Sequence, residues 1–414
     1  MKNFDIPIYF RSPVISVVKE ARKITDPRKK DYSPSVLDFG PVKFFIARHF
    51  GFCYGVENAI EIAYRSLEEN ENRRVFLLSE MIHNPNVNED LSKRGVKFLR
   101  EHNGKQLINW DELKEEDVVI VPAFGTTIEI QNILKERGID PYKYDTTCPF
   151  VEKVWNRAEI LGKKDYTIIV HGKYNHEETI ATFSQARQNS PTVIVRNIEE
   201  THNLCDIISG KIERNSFYEL FESKYSAGFD VNSDLEKVGV VNQTTMLATE
   251  TQAIADLLKV TMEEKYGGDF LKNHFADTSD TLCYATYDNQ QATIGLLDSN
   301  ADFAIVVGGY NSSNTSHIVE LCGERLPVYF ISGADKILSE ELISHFDIHS
   351  QKELTTENWL VRNQGIPTGI ILTSGASCPD AILDEVLQKI ISYFPESITI
   401  DKVLKPFNHE AIKN

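Results

Sequence analysis

The sequence predicts an α/β fold with largely parallel sheets, and three observations carry that prediction. Short apolar runs rich in β-branched residues recur along the chain. Amphipathic helical patterns lie between many of them. Small and polar residues gather where one pattern gives way to the other.

The apolar runs lie at 42–48, 75–79, 118–124, 166–170, 192–195, 238–241, 303–307, 328–331 and 369–373, and each has strand length. Val56, Ala59, Ile60, Ala63 and Leu67 recur at the spacing of one helix face. Thr126–Thr127–Ile128–Glu129 reads as a capping box, with Gly138 as the stop of that helix. Pro149 suits a first helical residue, and Gly162 closes the helix that follows. The alternation fills three stretches of similar size, which suggests three similar α/β domains at 42–148, 149–282 and 283–414. Residues 1–41 read as an N-terminal extension. The polar stretch near 203–236 reads as a surface insertion in the second domain, and about 335–365 as a peripheral segment.

Composition narrows the class. The 414 residues are 41% hydrophobic and 25% charged, ordinary for a globular protein with two to four domains' worth of core. No apolar run approaches the roughly 18 residues of a membrane span, and the opening residues lack the apolar core of a signal peptide. A cytoplasmic protein with no membrane partner is expected. The net charge of −17 argues against nucleic acid as a partner. The one dense basic stretch, between Lys19 and Lys30, reads as a solvated segment. An acidic chain can still bind a small anion in a locally positive pocket.

The polar residues sit in a telling place. Strand-length runs give way to Gly51–Phe52–Cys53–Tyr54–Gly55, His83–Asn84–Pro85, Gly125–Thr126–Thr127, Thr146–Thr147–Cys148–Pro149, the stretch from His171 to Thr179, Asn242–Gln243–Thr244–Thr245, the stretch from Asn311 to Ser316, and the stretch from Ser374 to Pro379. Ligands of α/β sheets bind beyond the carboxyl ends of strands. Helix N-termini there offer free N–H groups and partial positive charge, enough to hold phosphate without many lysines. Singly, such Ser, Thr and Asn residues are ordinary helix caps. Their number, with His and Cys among them, points to a shared site.

The six cysteines, Cys53, Cys148, Cys205, Cys283, Cys322 and Cys378, are far apart and share no C-x-x-C spacing. That disfavours a zinc ribbon, and a cytoplasmic chain should not hold disulfides. Cys53 lies between two glycines, Cys148 precedes a proline at a helix start, and Cys283 lies at a helix entry. Each of these three admits two readings, a buried inert thiol or a metal ligand. Cys205 and Cys322 read as structural, and Cys378 adjoins a polar loop and fits either role.

Eight segments then match a known family in its own order. They are G-F-C-Y-G-V (51–56), E-M-I-H-N-P (80–85), T-T-C-P-F-V (146–151), H-E-E-T (176–179), N-Q-T-T (242–245), T-L-C-Y-A-T (281–286), S-S-N (312–314) and G-A-S-C-P-D (375–380). With these motifs the chain resembles the LytB family of 4-hydroxy-3-methylbut-2-enyl diphosphate reductases, which complete the non-mevalonate isoprenoid pathway. The resemblance implies three α/β domains around one 4Fe–4S cluster, held by Cys53, Cys148 and Cys283 with one iron left open for substrate. It implies an allylic alcohol diphosphate as substrate, reduced to isopentenyl and dimethylallyl diphosphate. It assigns Glu178 as proton donor and Thr244 as hydroxyl relay, with Thr245 as the neighbouring alternative. It assigns the diphosphate to His83, His176, Thr244, Ser312, Ser313, Asn314 and Ser377. Electrons would come from an external ferredoxin or flavodoxin type donor, because no flavin or nicotinamide motif is evident. The chain departs from the pattern at Phe124, where many members carry a histidine in A-H-G; the loss removes one diphosphate donor.

Other classes predict different behaviour. A lyase-type three-cysteine 4Fe–4S enzyme would need no reductant. A non-catalytic anion-binding protein would bind diphosphate without turnover. A phosphotransferase is disfavoured by the lack of a G-x-x-x-x-G-K-[ST] loop.

Overall fold

The computed structural model describes residues 4–276, 281–362 and 365–408. It divides into two compact units. One draws on residues 1–57, 83–87 and 284–414, and the other comprises 58–82 and 88–283. Both are α/β, and parallel pairing dominates.

The first unit is built on a five-stranded sheet, in the order Ser35–Asp38, Val42–Ile46, Thr368–Ser374, Phe303–Val307, Val328–Ile331. The first pair is antiparallel and the others are parallel. Every residue of Thr368–Ser374 and Phe303–Val307 is buried. Strands covered on both faces read as unbroken apolar runs, which is why these two were legible as strands. Helices Pro13–Thr25, Tyr284–Leu296, Ser313–Gly323 and Asp380–Ile391 complete the unit.

The second unit holds two parallel sheets. One runs Lys97–Phe98, Val75–Leu77, Val118–Ile120. The other runs Thr192–Val195, Thr167–His171, Val238–Asn242, Phe275–Ala276. Alternate residues of the four-stranded sheet feed different apolar clusters: Ile169, Val193, Val195, Val238 and Val240 enter one, while Ile168, Val170, Ile194 and Val241 enter another.

All nine expected strands are present, shifted at their ends by a few residues. The sheets group them differently from the three-domain reading. Val42–Ile46, placed by sequence with residues 42–148, pairs with Thr368–Ser374, Val42 opposite Thr368. Pairing over such a separation leaves no local trace in either segment.

Residues 1–41, expected as an extension, supply the edge strand Ser35–Asp38 and the helix Pro13–Thr25. That helix starts on Ser12, whose hydroxyl accepts from the Ile15 N–H and donates to Asp384. Its Val14, Ile15 and Val18 are buried in the core of the first unit. The stretch 203–236 also differs from expectation. Leu204, Cys205, Phe217, Phe221, Phe229, Val231 and Leu235 join the apolar cluster beneath the four-stranded sheet. Phe217 stacks on Phe221 and Phe229 at centroid distances of 5.1 and 4.7 Å. Polar residues between the aromatics disguised this segment. Within 335–365, Leu342–Asp347 and Lys352–Glu357 form an antiparallel hairpin, followed by the fully buried Trp359.

The cap near residue 127 is simpler than a capping box. Thr127, not Thr126, accepts from the Ile130 N–H. The Glu129 carboxylate turns instead to Ser184 and Arg187. The residues at 138, 149 and 162 take the positions expected of them.

Phe217→Ala tests whether 203–236 is core. Truncating a fully buried aromatic should cost about 3–5 kcal/mol, read as a lower denaturant midpoint; a loss below about 1 kcal/mol would return the segment to the surface.

Candidate active site

In the second unit the useful geometry lies at the reversal of strand order. Thr167–His171 passes through helix Glu177–Ala186 to Thr192–Val195 on one side. Val238–Asn242 passes through helix Ala248–Tyr266 to Phe275–Ala276 on the other. The turns after these two neighbouring strands therefore diverge, leaving a crevice at their carboxyl ends. His176, Glu178 and Thr244 all lie on those turns.

His176 caps helix Glu177–Ala186, its Nδ1 accepting from the Glu178 N–H at 3.2 Å. An Nδ1 that accepts puts the proton of a neutral ring on Nε2, leaving that edge as a donor. Glu178 is 4% exposed. Its Oε1 accepts from the Thr244 backbone N–H, and the Thr244 hydroxyl also bonds to the carboxylate. Burial raises the Glu178 pKa to about 7, although both contacts with Thr244 pull it down. Desolvation wins because two donors cannot replace full hydration of a charge. Thr245 is engaged elsewhere, accepting from Gln243 Nε2 at 2.6 Å.

Several residues that sequence reasoning did not single out hold this arrangement. Fully buried Gln243 accepts from the Lys173 N–H at 3.1 Å and from the Thr179 hydroxyl at 3.0 Å, tying the two turns together. Asn242 accepts from the Thr281 hydroxyl at 2.6 Å, anchoring the loop that leads to Cys283. Glu177 bonds to Ser79, and burial raises its pKa to about 8. Gln243, Thr179, Asn242 and Thr281 all belong to the quoted motifs, so position in a motif was the available signal. Glu177 stands in the same H-E-E-T motif, so the same signal was available for it.

Cys148 is the N-cap of helix Pro149–Gly162, and its N–H donates to the Ala123 carbonyl at 2.8 Å. Next to Ala123, Phe124 meets the His176 ring edge-on, with centroids 6.4 Å apart. Phe124, where the resemblance led one to expect a histidine, is thus close to His176. Cys283 immediately precedes helix Tyr284–Leu296.

The first unit assembles the remaining residues at the carboxyl ends of its own parallel strands. Cys53 immediately precedes helix Tyr54–Glu69, and its N–H donates to the Ala376 carbonyl at 3.3 Å. Ser377 donates to the His83 carbonyl at 3.2 Å. That carbonyl lies over Gly309, where a Cβ would sit 2.3 Å from it, so only glycine fits. Ser312 caps helix Ser313–Gly323, accepting from the Thr315 N–H. Ser313 is buried at the first helical position. The Asn314 Oδ1 accepts from the Ala376 N–H at 2.9 Å. Its Nδ2 is buried without a hydrogen-bond partner among the described residues. Such a donor costs about 1–3 kcal/mol unless an acceptor arrives.

Cys53, Cys148 and Cys283 share one feature: each is the residue just before an α-helix. Helix N-termini stabilise thiolates, the form that binds metal. The other three cysteines lack it. Burial pushes the Cys205 thiol up to about 11 and the Cys322 and Cys378 thiols up to about 12. None of the six forms a disulfide. Among the described residues of either unit, no three His, Cys, Asp or Glu side chains gather closely enough to share one metal ion.

Comparison with known proteins follows the same lines. The family described as LytB protein matches residues 44–391. The 4-hydroxy-3-methylbut-2-enyl diphosphate reductase of Gloeobacter violaceus is 39% identical over 381 residues, covering 89% of each chain. That of Thermosynechococcus vestitus is 43% identical over 354 residues, covering 85% of each. A solved (E)-4-hydroxy-3-methyl-but-2-enyl diphosphate reductase superposes with a TM-score of 0.51 at 26% identity, covering 84% of this chain and 98% of its own. The Plasmodium falciparum E-1-hydroxy-2-methyl-but-2-enyl-4-diphosphate reductase superposes with a TM-score of 0.59 at 22% identity, covering 84% and 87%, which bears on the fold alone. With the family matched over most of its length and relatives near 40% identity, the chain belongs to the LytB family, the 4-hydroxy-3-methylbut-2-enyl diphosphate reductases.

Proposed function

We propose that the protein reduces 4-hydroxy-3-methylbut-2-enyl diphosphate to isopentenyl and dimethylallyl diphosphate. The C–O bond of the allylic alcohol breaks, a C–H bond forms, and water leaves. Two electrons and two protons balance each turnover. The observation that carries this reading is Glu178, a buried carboxyl raised to about 7 and held by Thr244 at the reversal of strand order.

Hydroxide is a poor leaving group, so the reaction needs an acid beside the departing oxygen. Glu178 can hold a proton near neutral pH because burial disfavours its charge. Thr244, bonded to that carboxyl, is the hydroxyl relay between Glu178 and the substrate oxygen. Diphosphate binding is assigned to His83, His176, Thr244, Ser312, Ser313, Asn314 and Ser377. The buried Nδ2 of Asn314 and the helix start at Ser313 are the donors that favour an anion. Neutral donors suit a chain whose net charge is −17.

Cys53, Cys148 and Cys283 are the residues that would hold the iron–sulfur cluster. When bound, a 4Fe–4S cluster supplies the electrons and, with three protein ligands, keeps one iron open. The electrons come from an external ferredoxin or flavodoxin type donor. A cytoplasmic location agrees with six cysteines that form no disulfide. No described helix is long and apolar enough to cross a membrane.

Five outcomes are expected. Cys205→Ser and Cys322→Ser should keep the full iron and sulfide content of anaerobically purified protein, whereas Ser at 53, 148 or 283 should lose it; a folded Cys205→Ser protein without iron would break the ligand assignment. Glu178→Gln should retain iron and substrate binding while kcat falls roughly 10²–10⁴-fold. In the unmodified protein the proton-donating form is full below pH 7 and lost above it, so kcat should decline on the alkaline side of about 7. Near-normal turnover of the Gln variant would remove Glu178 from the acid role. Phe124→His should restore a diphosphate donor and lower KM, and an unchanged KM would separate Phe124 from the diphosphate. Turnover should also depend strictly on added reductant, which a lyase would not require.

A further inference from the structure

The first unit contains a basic island in an acidic protein. Residues 4–30 carry seven cations, Arg11, Lys19, Arg22, Lys23, Arg28, Lys29 and Lys30, against the three acids Asp5, Glu20 and Asp26, whereas the whole chain has a net charge of −17. Some of these charges are spent internally. Lys19 pairs with Asp380 at 2.6 Å, and Arg22 with Asp31 at 3.1 Å. Asp26 is taken up by a buried pair with Arg48, Nε to Oδ2 at 2.9 Å. Arg11, Arg28 and Lys30 remain exposed. Arg28 and Lys30 enter no ion pair among the described residues.

This segment lies along the loop that presents Cys53. Near its start, Phe10 meets Phe52 at 5.9 Å and Phe4 meets Tyr54 at 4.9 Å, ring to ring. In the middle, the Lys19 ammonium sits 4.4 Å from the centre of the Phe50 ring. At its end, Asp26 holds Arg48, and His49 hydrogen-bonds to the Lys29 backbone. The island therefore follows the loop from residue 48 to residue 54. Ile8, Tyr9 and Tyr54 are exposed beside it, at 83%, 46% and 38%.

We propose that residues 4–30, with Tyr54, form the docking surface for a small acidic one-electron carrier protein. The inference rests on the reductase reading. That reaction consumes two electrons, and the sequence shows no nicotinamide or flavin motif of its own. Two carrier molecules, each oxidised by one electron, must deliver them near the loop that carries Cys53. An acidic enzyme repels acidic carriers everywhere except at a positive patch, which steers their approach and raises the association rate. Exposed apolar groups at one end of the segment and cations without ion pairs at the other suit the small, short-lived interfaces of electron transfer.

The test compares electron sources on the holoprotein. Turnover of R28E/K30E is measured with a reduced acidic [2Fe–2S] ferredoxin, with a reduced flavodoxin, and with dithionite and methyl viologen. The expected result is a loss of about tenfold or more in kcat/KM for at least one carrier protein, with dithionite-driven turnover unchanged. The rate of the unmodified protein with that carrier should fall as salt is raised, and the variant should lose this dependence. Equal rates for variant and parent with both carriers at low salt would overturn the proposal. So would an equal loss with dithionite, which would give these cations a structural role. Absence of dithionite-driven turnover in the unmodified holoprotein would overturn the reductase reading, and this proposal with it.

Discussion

Burial of both faces of the parallel strands is the constraint on which everything else rests. Thr368–Ser374, Phe303–Val307, Thr167–His171 and Val238–Asn242 are buried along their whole length. No chemistry can be mounted on such faces without leaving polar groups stranded in apolar surroundings. Polar side chains are pushed to the strand ends, where turns and helix N-termini supply partners. Each assigned residue that follows a strand, from Cys53 to Ser377, lies beyond a carboxyl end. Within each unit, the place of the candidate residues thus follows from the architecture before any residue is given a role.

The same burial tunes the Glu178 carboxyl. A carboxyl in water would be charged near neutral pH and useless as a proton donor. Glu178 is enclosed, and the loss of hydration outweighs the two bonds from Thr244. Those bonds fix its direction while leaving the proton available. Gln243 contributes at one remove, holding together the turns that carry Glu178 and Thr244.

Charge is handled locally. The chain is strongly acidic, yet its phosphate-binding candidates are neutral donors: a serine cap, the first turn of a helix, an asparagine amide and an imidazole Nε2 edge. Helix N-termini lie at Ser312 and at Cys53, Cys148 and Cys283 alike. Cys205, Cys322 and Cys378 lie in apolar surroundings that oppose ionisation. Cys53, Cys148 and Cys283 each stand immediately before a helix, whereas Cys378, one residue further from its helix, is fully buried in the apolar core.

Much of this was legible in the residues themselves. Apolar, β-branched runs marked the nine strands, because all but Val42–Ile46 and Val328–Ile331 are buried along their whole length and burial on two faces leaves an apolar signal in each segment. Turn motifs singled out Cys53, Cys148, Cys283, Glu178 and Thr244 as candidates, because residue types and their order are visible in the sequence. Other features belong to no single segment. Val42–Ile46 finds its partner at Thr368–Ser374 through hydrogen bonds between strands remote in the chain. The aromatic stack of Phe217, Phe221 and Phe229 is apolar only once folded, since polar residues separate its members in sequence. The choice of Thr244 over Thr245 depends on which of two adjacent hydroxyls faces Glu178. The sequence by itself determined the elements and the chemical groups, which are local properties. Tertiary structure alone decided which strands pair, which thiols are enclosed by apolar neighbours and which carboxyl burial pushes towards neutrality, because each depends on burial and contacts made across long separations.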